Sequence, residues 1–166
     1  MKTFDISRAE IKRANVPHEI FLTNLIGNHI LMAIAAGGIA GSFPWVMALI
    51  PAISFMLLGY TLWRARLSRT RDPWYVMCHW QLCARRSRLF IIMLSLLLVV
   101  CVLGWVAYFY AGMMKEAVIA LIIGAGILPV MVTVLVLILV ESDALYHANQ
   151  AKLPVWVVER FPPPVD

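Results

Sequence analysis

No Asp, Glu, Lys or Arg occurs between Ile20 and Trp63, between Leu89 and Met114, or between Ala117 and Val140. A hydrocarbon core about 30 Å thick takes about 20 apolar residues to cross as a helix. The first stretch is long enough for two crossings and each of the others for one. The run Ile91–Val100 is apolar except for Ser95 and shows none of the alternation of a barrel strand. In lipid such a backbone must satisfy its own hydrogen bonds, which a helix does. The chain is 62% apolar and 14% charged, against about 45–50% and about 25% in soluble domains. The expected fold is therefore an all-α integral membrane protein. It is a single domain over 1–166, a four-transmembrane-helix bundle built from two helical hairpins.

The basic residues set the expected orientation. Lys2, Arg8, Lys12 and Arg13 precede the first stretch, and Lys152 and Arg160 follow the last. Seven arginines, Arg64, Arg66, Arg69, Arg71, Arg85, Arg86 and Arg88, separate the second crossing from the third, and Lys115 alone falls on the other side. Positive residues resist translocation, so the pattern predicts both termini and the arginine-rich segment in the cytoplasm of a cell inner membrane. Topology already accounts for the net charge of +5, and nucleic acid is not an expected partner. A cleaved signal peptide is not expected either, because the first 19 residues are polar and of mixed charge.

Local signals divide the chain further. Residues 1–19 read as an amphipathic lead-in, with Ser7 and Glu10 as a capping box. Its helix is expected to lie on the membrane surface with Ile6 and Ile11 toward lipid, and to break at Pro17. Crossings are expected over 20–41 and 45–63, joined by a tight turn at Gly41-Ser42-Phe43-Pro44. An arginine-rich segment follows over 64–88, then crossings over 89–113 and 117–140. Asp72 reads as the N-cap of a third helix that starts near Pro73 in the cytoplasm and runs for about 40 residues, or about 60 Å. Pro51 and Pro129 are expected to kink their helices. The 141–166 tail continues the fourth helix to about His147. With Pro154 and Pro162-Pro163-Pro164 it then reads as extended.

Few residues suggest chemistry. Asn24 and Asn28 share a helical face with His29 beside them, and amides and imidazoles in lipid must be paired. They form either interhelical hydrogen bonds or an intramembrane polar site. A bis-histidine haem lacks a second ligand at that depth, because His18, His79 and His147 all fall outside the crossings. Ala33, Gly37 and Gly41, together with Ala120 and Gly124, are small-residue helix-packing faces, for the bundle itself or for another subunit. Cys78, His79 and Cys83 do not read as a metal site: Cys78 and Cys83 diverge by about 140° on a helix, and a CxxC pair and a fourth ligand are missing. The cysteines lie in a reducing segment or within a crossing, so no disulfide is expected. Phosphate loops, HExxH, GxSxG and paired carboxylates are absent.

An enzyme is therefore not expected, nor is a cofactor. The expected function is a non-catalytic accessory, scaffold or assembly subunit of a larger bacterial inner-membrane complex of respiratory, transport or secretion type. Its expected partners are other integral membrane subunits and, through the seven arginines, anionic lipids. One alternative is a small oligomeric transporter or channel using Asn24, Asn28 and His29. Another is a membrane anchor whose His29 contacts quinone or a haem shared with a neighbour.

Overall fold

The computed structural model describes residues 1–43 and 45–164; Pro44 of the expected turn, and Val165 and Asp166, lie outside the described residues. Four helices are long and apolar enough to cross a membrane: α1 (Arg8–Ile39), α2 (Val46–Arg71), α3 (Trp74–Tyr110) and α4 (Lys115–Asn149). Two short strands, β1 (Lys2–Thr3) and β2 (Lys152–Leu153), pair antiparallel, with Lys2 opposite Leu153. A six-residue helix, α5 (Val155–Arg160), follows β2. Both terminal segments thus meet at the arginine-bearing end of the bundle, called the basic end below.

The lead-in differs from expectation. Ser7 does cap α1, its hydroxyl accepting from the Glu10 N–H. Pro17, however, does not break the helix, which runs unbroken through it. Nor does the lead-in lie wholly on a surface, because its later turns are built into the bundle, with Ala14, Asn15, Pro17 and His18 buried. Proline lacks a donor but keeps its acceptor, and the Pro17 carbonyl receives the Cys83 thiol at 3.3 Å. Packing against α3 and α4 offsets the cost of a mid-helix proline. Ile6 packs on the same basic-end core.

That core explains the length of α3, whose first turns stand beyond the charge-free stretch. Tyr75, Val76, Trp80 and Leu82 are buried against Ala14 and Ala65, and against Leu153 and Val157 from the tail. Burying each large side chain contributes about 1.5–3 kcal/mol where water is the alternative. The tail is accordingly not fully extended. Pro154 is the N-cap residue of α5, where its missing N–H is no loss, and its carbonyl accepts from Val157 and Val158. Asp72 is not the side-chain cap of α3. Its backbone N–H instead closes the last turn of α2 onto the Ser68 carbonyl at 3.2 Å.

Two helices widen to π geometry, α1 over Thr23–Met32 and α4 over Ile122–Ile127. The second widening ends just before Pro129, whose missing donor disrupts the ladder there. The small residues that seat α4 on α3 are Gly126 and Gly104. A Cβ at Gly126 would lie 2.7 Å from Leu97 Cδ1, and one at Gly104 would lie 3.2 Å from Val118 and Ile122. Of the two readings of Gly37, Gly41 and Gly124, packing within the bundle has no contact behind it among the described residues, where an added Cβ at each meets nothing within 4 Å. Ala33 is half-buried and Ala120 exposed. Gly126→Val should thus lower the thermal stability of the detergent-solubilised protein by about 1–3 kcal/mol, with Gly124→Val near neutral. Equal melting temperatures for the two variants would contradict the packing.

Candidate functional site

Two buried polar layers cross the bundle. The first lies in the π segment of α1. There hydrogen bonds run from i to i+5, and the wider turn brings residues five apart much closer to one face than an α-helix does. Asn24 and His29 consequently converge on one hydroxyl of α2. Asn24 Nδ2 donates to Ser54 Oγ at 3.0 Å, and His29 Nε2 lies 2.9 Å from the same oxygen. Asn28 Nδ2 reaches the Ile50 carbonyl at 2.8 Å and Asn24 Oδ1 at 3.2 Å. The edge of the His29 ring meets Phe90 of α3, with centroids 4.9 Å apart. The three residues singled out in the sequence are therefore together, and they tie α1 to α2. His29 also stands on the wall of a cavity of about 320 Å³ whose other lining is almost wholly apolar, including Met47, Pro51, Leu97 and Val130.

The second layer lies at the basic end and was not anticipated. His18 Nδ1 is 2.5 Å from Glu141 Oε2, and His18 Nε2 is 2.9 Å from His79 Nδ1. Arg86 lies 3.0 Å from the other Glu141 oxygen, an ion-pair contact outside hydrogen-bond angles. Glu141, His18 and His79 are essentially inaccessible to solvent. With Glu141 as the acceptor, His18 carries its proton on Nδ1. One proton then bridges His18 Nε2 and His79 Nδ1, and His79 Nε2 has no partner among the described residues. Burial, and then the neighbouring His18 and Arg86, hold the His79 pKa well below the ordinary imidazole value. Tyr75 completes the layer, its hydroxyl donating to the Ala148 carbonyl at 3.1 Å and its ring standing edge-on to His79.

The sequence signal for this layer was positional. Glu141 is the first residue after the last charge-free stretch, Arg86 lies just before the second, and His18 just before the first. In antiparallel helices aligned on a common boundary, all three fall at one depth. Their expected solvation at the boundary hid that alignment.

The other marked residues distribute as follows. Arg64 and Arg13 both bond the Asp72 carboxylate, at 3.0 and 2.6 Å, bolting α1 to the α2–α3 junction. Arg64 and Arg86 are therefore spent inside the protein and are not free lipid-facing arginines. Arg66, Arg69, Arg71, Arg85 and Arg88 are exposed. Cys78 and Cys83 are buried thiols, and burial pushes Cys78 up to about 12, far from a nucleophilic thiolate at neutral pH. Among the described residues, no three His, Cys, Asp or Glu side chains are placed to hold a metal ion.

The fold and its layers define a class: an all-helical protein with four helices fit to cross a membrane, pinned by one amide–imidazole layer and one ionic layer. No protein-family model, curated protein or solved structure matches the chain.

Removing Glu141 would strand buried His18 and Arg86, so Glu141→Ala should cost about 3–5 kcal/mol, with Glu141→Gln less damaging. Both are measurable as melting temperatures in detergent, and a neutral Glu141→Ala would show that the layer bears no load. A pH effect follows from His79. The unfolded chain binds a proton below the ordinary value of 6.5 while the folded chain refuses it, so stability should fall as pH drops below 6.5. His79→Gln should flatten that slope, and an unchanged slope would assign the effect to another group.

Proposed function

We propose that this protein is a non-catalytic accessory or scaffold subunit of a larger bacterial inner-membrane complex, with its basic end and both termini in the cytoplasm. The observation that carries the reading is the contrast between its two ends. The basic end is packed and ionically braced, whereas beyond His29 the first helix buries only Ala36. Ile34 and Ile39 are exposed there, beside Gly37 and Gly41, where an added Cβ would meet none of the described residues within 4 Å. Small residues flanked by branched apolar ones suit close approach by a neighbouring helix. The basic end is then a rigid cytoplasmic platform, and its exposed arginines suit anionic lipid.

The transporter alternative draws less support. Asn24, Asn28 and His29 bond to one another, to Ser54 and to Ile50. An apolar layer of Phe21, Leu58, Phe90 and Leu137 separates them from the basic-end chain. A quinone-contacting anchor has one specific observation in its favour, the placement of His29 as the rare polar group on an otherwise apolar cavity wall. An absorbance spectrum of the purified complex tests for quinone or a shared haem.

The scaffold reading is tested by photo-crosslinking from Ile34 and Ile39 in intact cells, followed by purification in mild detergent. Discrete heterologous adducts and co-purifying membrane proteins are expected. A clean monomer without adducts from either position would sink the reading.

A further inference from the structure

Among the described residues, three arginines have carboxylate partners: Arg13 and Arg64 share Asp72, and Arg86 pairs with Glu141. Four others are handled differently. Arg69 from α2, Arg85 and Arg88 from α3, and Arg160 from α5 line one cavity of about 230 Å³ at the basic end. None of the four has a carboxylate within 4.0 Å among the described residues. Like charges gathered in one concavity repel, even with each arginine partly exposed to water. A fold that spends its two buried carboxylates elsewhere and leaves these four arginines together calls for an anion from outside.

The wall is built rather than accidental. Arg160 is far along the chain from Arg88 and reaches the cavity only because the tail is docked. Trp74 Nε1 donates to the Phe161 carbonyl at 2.8 Å, Val157 and Val158 are buried, and β2 is paired to β1. Gln81 accepts from Arg69 at 3.0 Å, and the Arg85 guanidinium stacks over Trp156, 4.7 Å from its centroid. Both side chains are thereby oriented with further N–H donors uncommitted, since a guanidinium carries five.

Size and depth narrow the ligand. The cavity holds several water volumes of about 30 Å³ each, yet it is smaller than the roughly 300–1,000 Å³ of sites for drug-sized molecules. That suits one compact polyoxyanion. Arginine forks match phosphate oxygens two at a time. Arg88 is the last charged residue before the Leu89–Met114 stretch, so the cavity stands at the level of lipid phosphates.

We propose that Arg69, Arg85, Arg88 and Arg160 form a binding site for a phosphate-bearing anion, carried by a lipid headgroup or free in the cytoplasm. The site rests on the membrane placement of the helices and not on the subunit role. Its test needs no partner protein. Full-length protein in nonionic detergent is offered phosphatidylglycerol, phosphatidylcholine or inorganic pyrophosphate, and bound ligand is counted by native mass spectrometry. Retention of phosphatidylglycerol over phosphatidylcholine identifies a lipid-borne anion. Pyrophosphate bound in the absence of lipid, and displacing it, identifies a soluble one. In either case the Arg85→Gln/Arg160→Gln double variant should lose about tenfold in binding. The Arg85→Lys/Arg160→Lys variant keeps the charge without the fork, and an intermediate loss is expected with an unchanged elution profile. Arg8→Gln/Lys12→Gln, which removes two charges away from the cavity, should leave binding as in the parent. The site is refuted if neither ligand binds, if the glutamine variant binds like the parent, or if the Arg8/Lys12 control loses as much.

Discussion

One buried carboxylate organises the basic end. Glu141 is fully enclosed, and a carboxylate in such a place is tolerated only when its oxygens are met by charge or by hydrogen-bond donors. Arg86 of α3 meets one oxygen and His18 of α1 the other. Three of the four long helices are thus fixed at one point. The fourth joins through Asp72, which sits at the end of α2 and takes Arg13 and Arg64. Slippage of any helix by a residue would leave a buried charge unmatched. The ionic layer therefore sets register where lipid-facing apolar surface, equally content against any tail or helix, sets none.

Much of the architecture was legible in the sequence because the energetics there are coarse. Stretches free of charge over Leu89–Met114 and Ala117–Val140 can settle as little else than long helices, and α3 starting beside Pro73 follows from the proline's fixed φ and missing donor. What escaped were features decided by tertiary contact. Pro17 reads locally as a break, but buried neighbours and the Cys83 thiol compensate it. Asp72 reads as a helix cap, but two arginines remote in sequence compete for its carboxylate. The tail reads as extended because of its prolines, yet Val157 and Val158 gain more by folding into a helix against α3.

The candidate polar residues were only half visible for a related reason. Asn24, Asn28 and His29 announce themselves because polar groups inside a charge-free run are conspicuous. Their convergence on Ser54 depends on the π widening of α1, which spacing alone does not reveal. Glu141, His18 and His79 sit just outside such runs, where ionisable residues are ordinary, and only the three-dimensional alignment of helix ends distinguishes them from solvated neighbours. The small residues show the converse. Gly37 and Gly124 look like packing positions by spacing, whereas Gly104 and Gly126 are the ones against which side chains close.

The ribbon between Lys2–Thr3 and Lys152–Leu153 has a consequence for biogenesis. The first strand emerges from the ribosome long before its mate and must wait, unpaired, while four helices are threaded. Until residues 152–160 follow, the Leu153 and Val157 positions in the core stay empty and the arginine cavity lacks a wall. The basic end therefore closes last, and a chain that stalls or is clipped ahead of residue 152 retains its helices while presenting an open, oily seam to the proteases that survey newly made proteins.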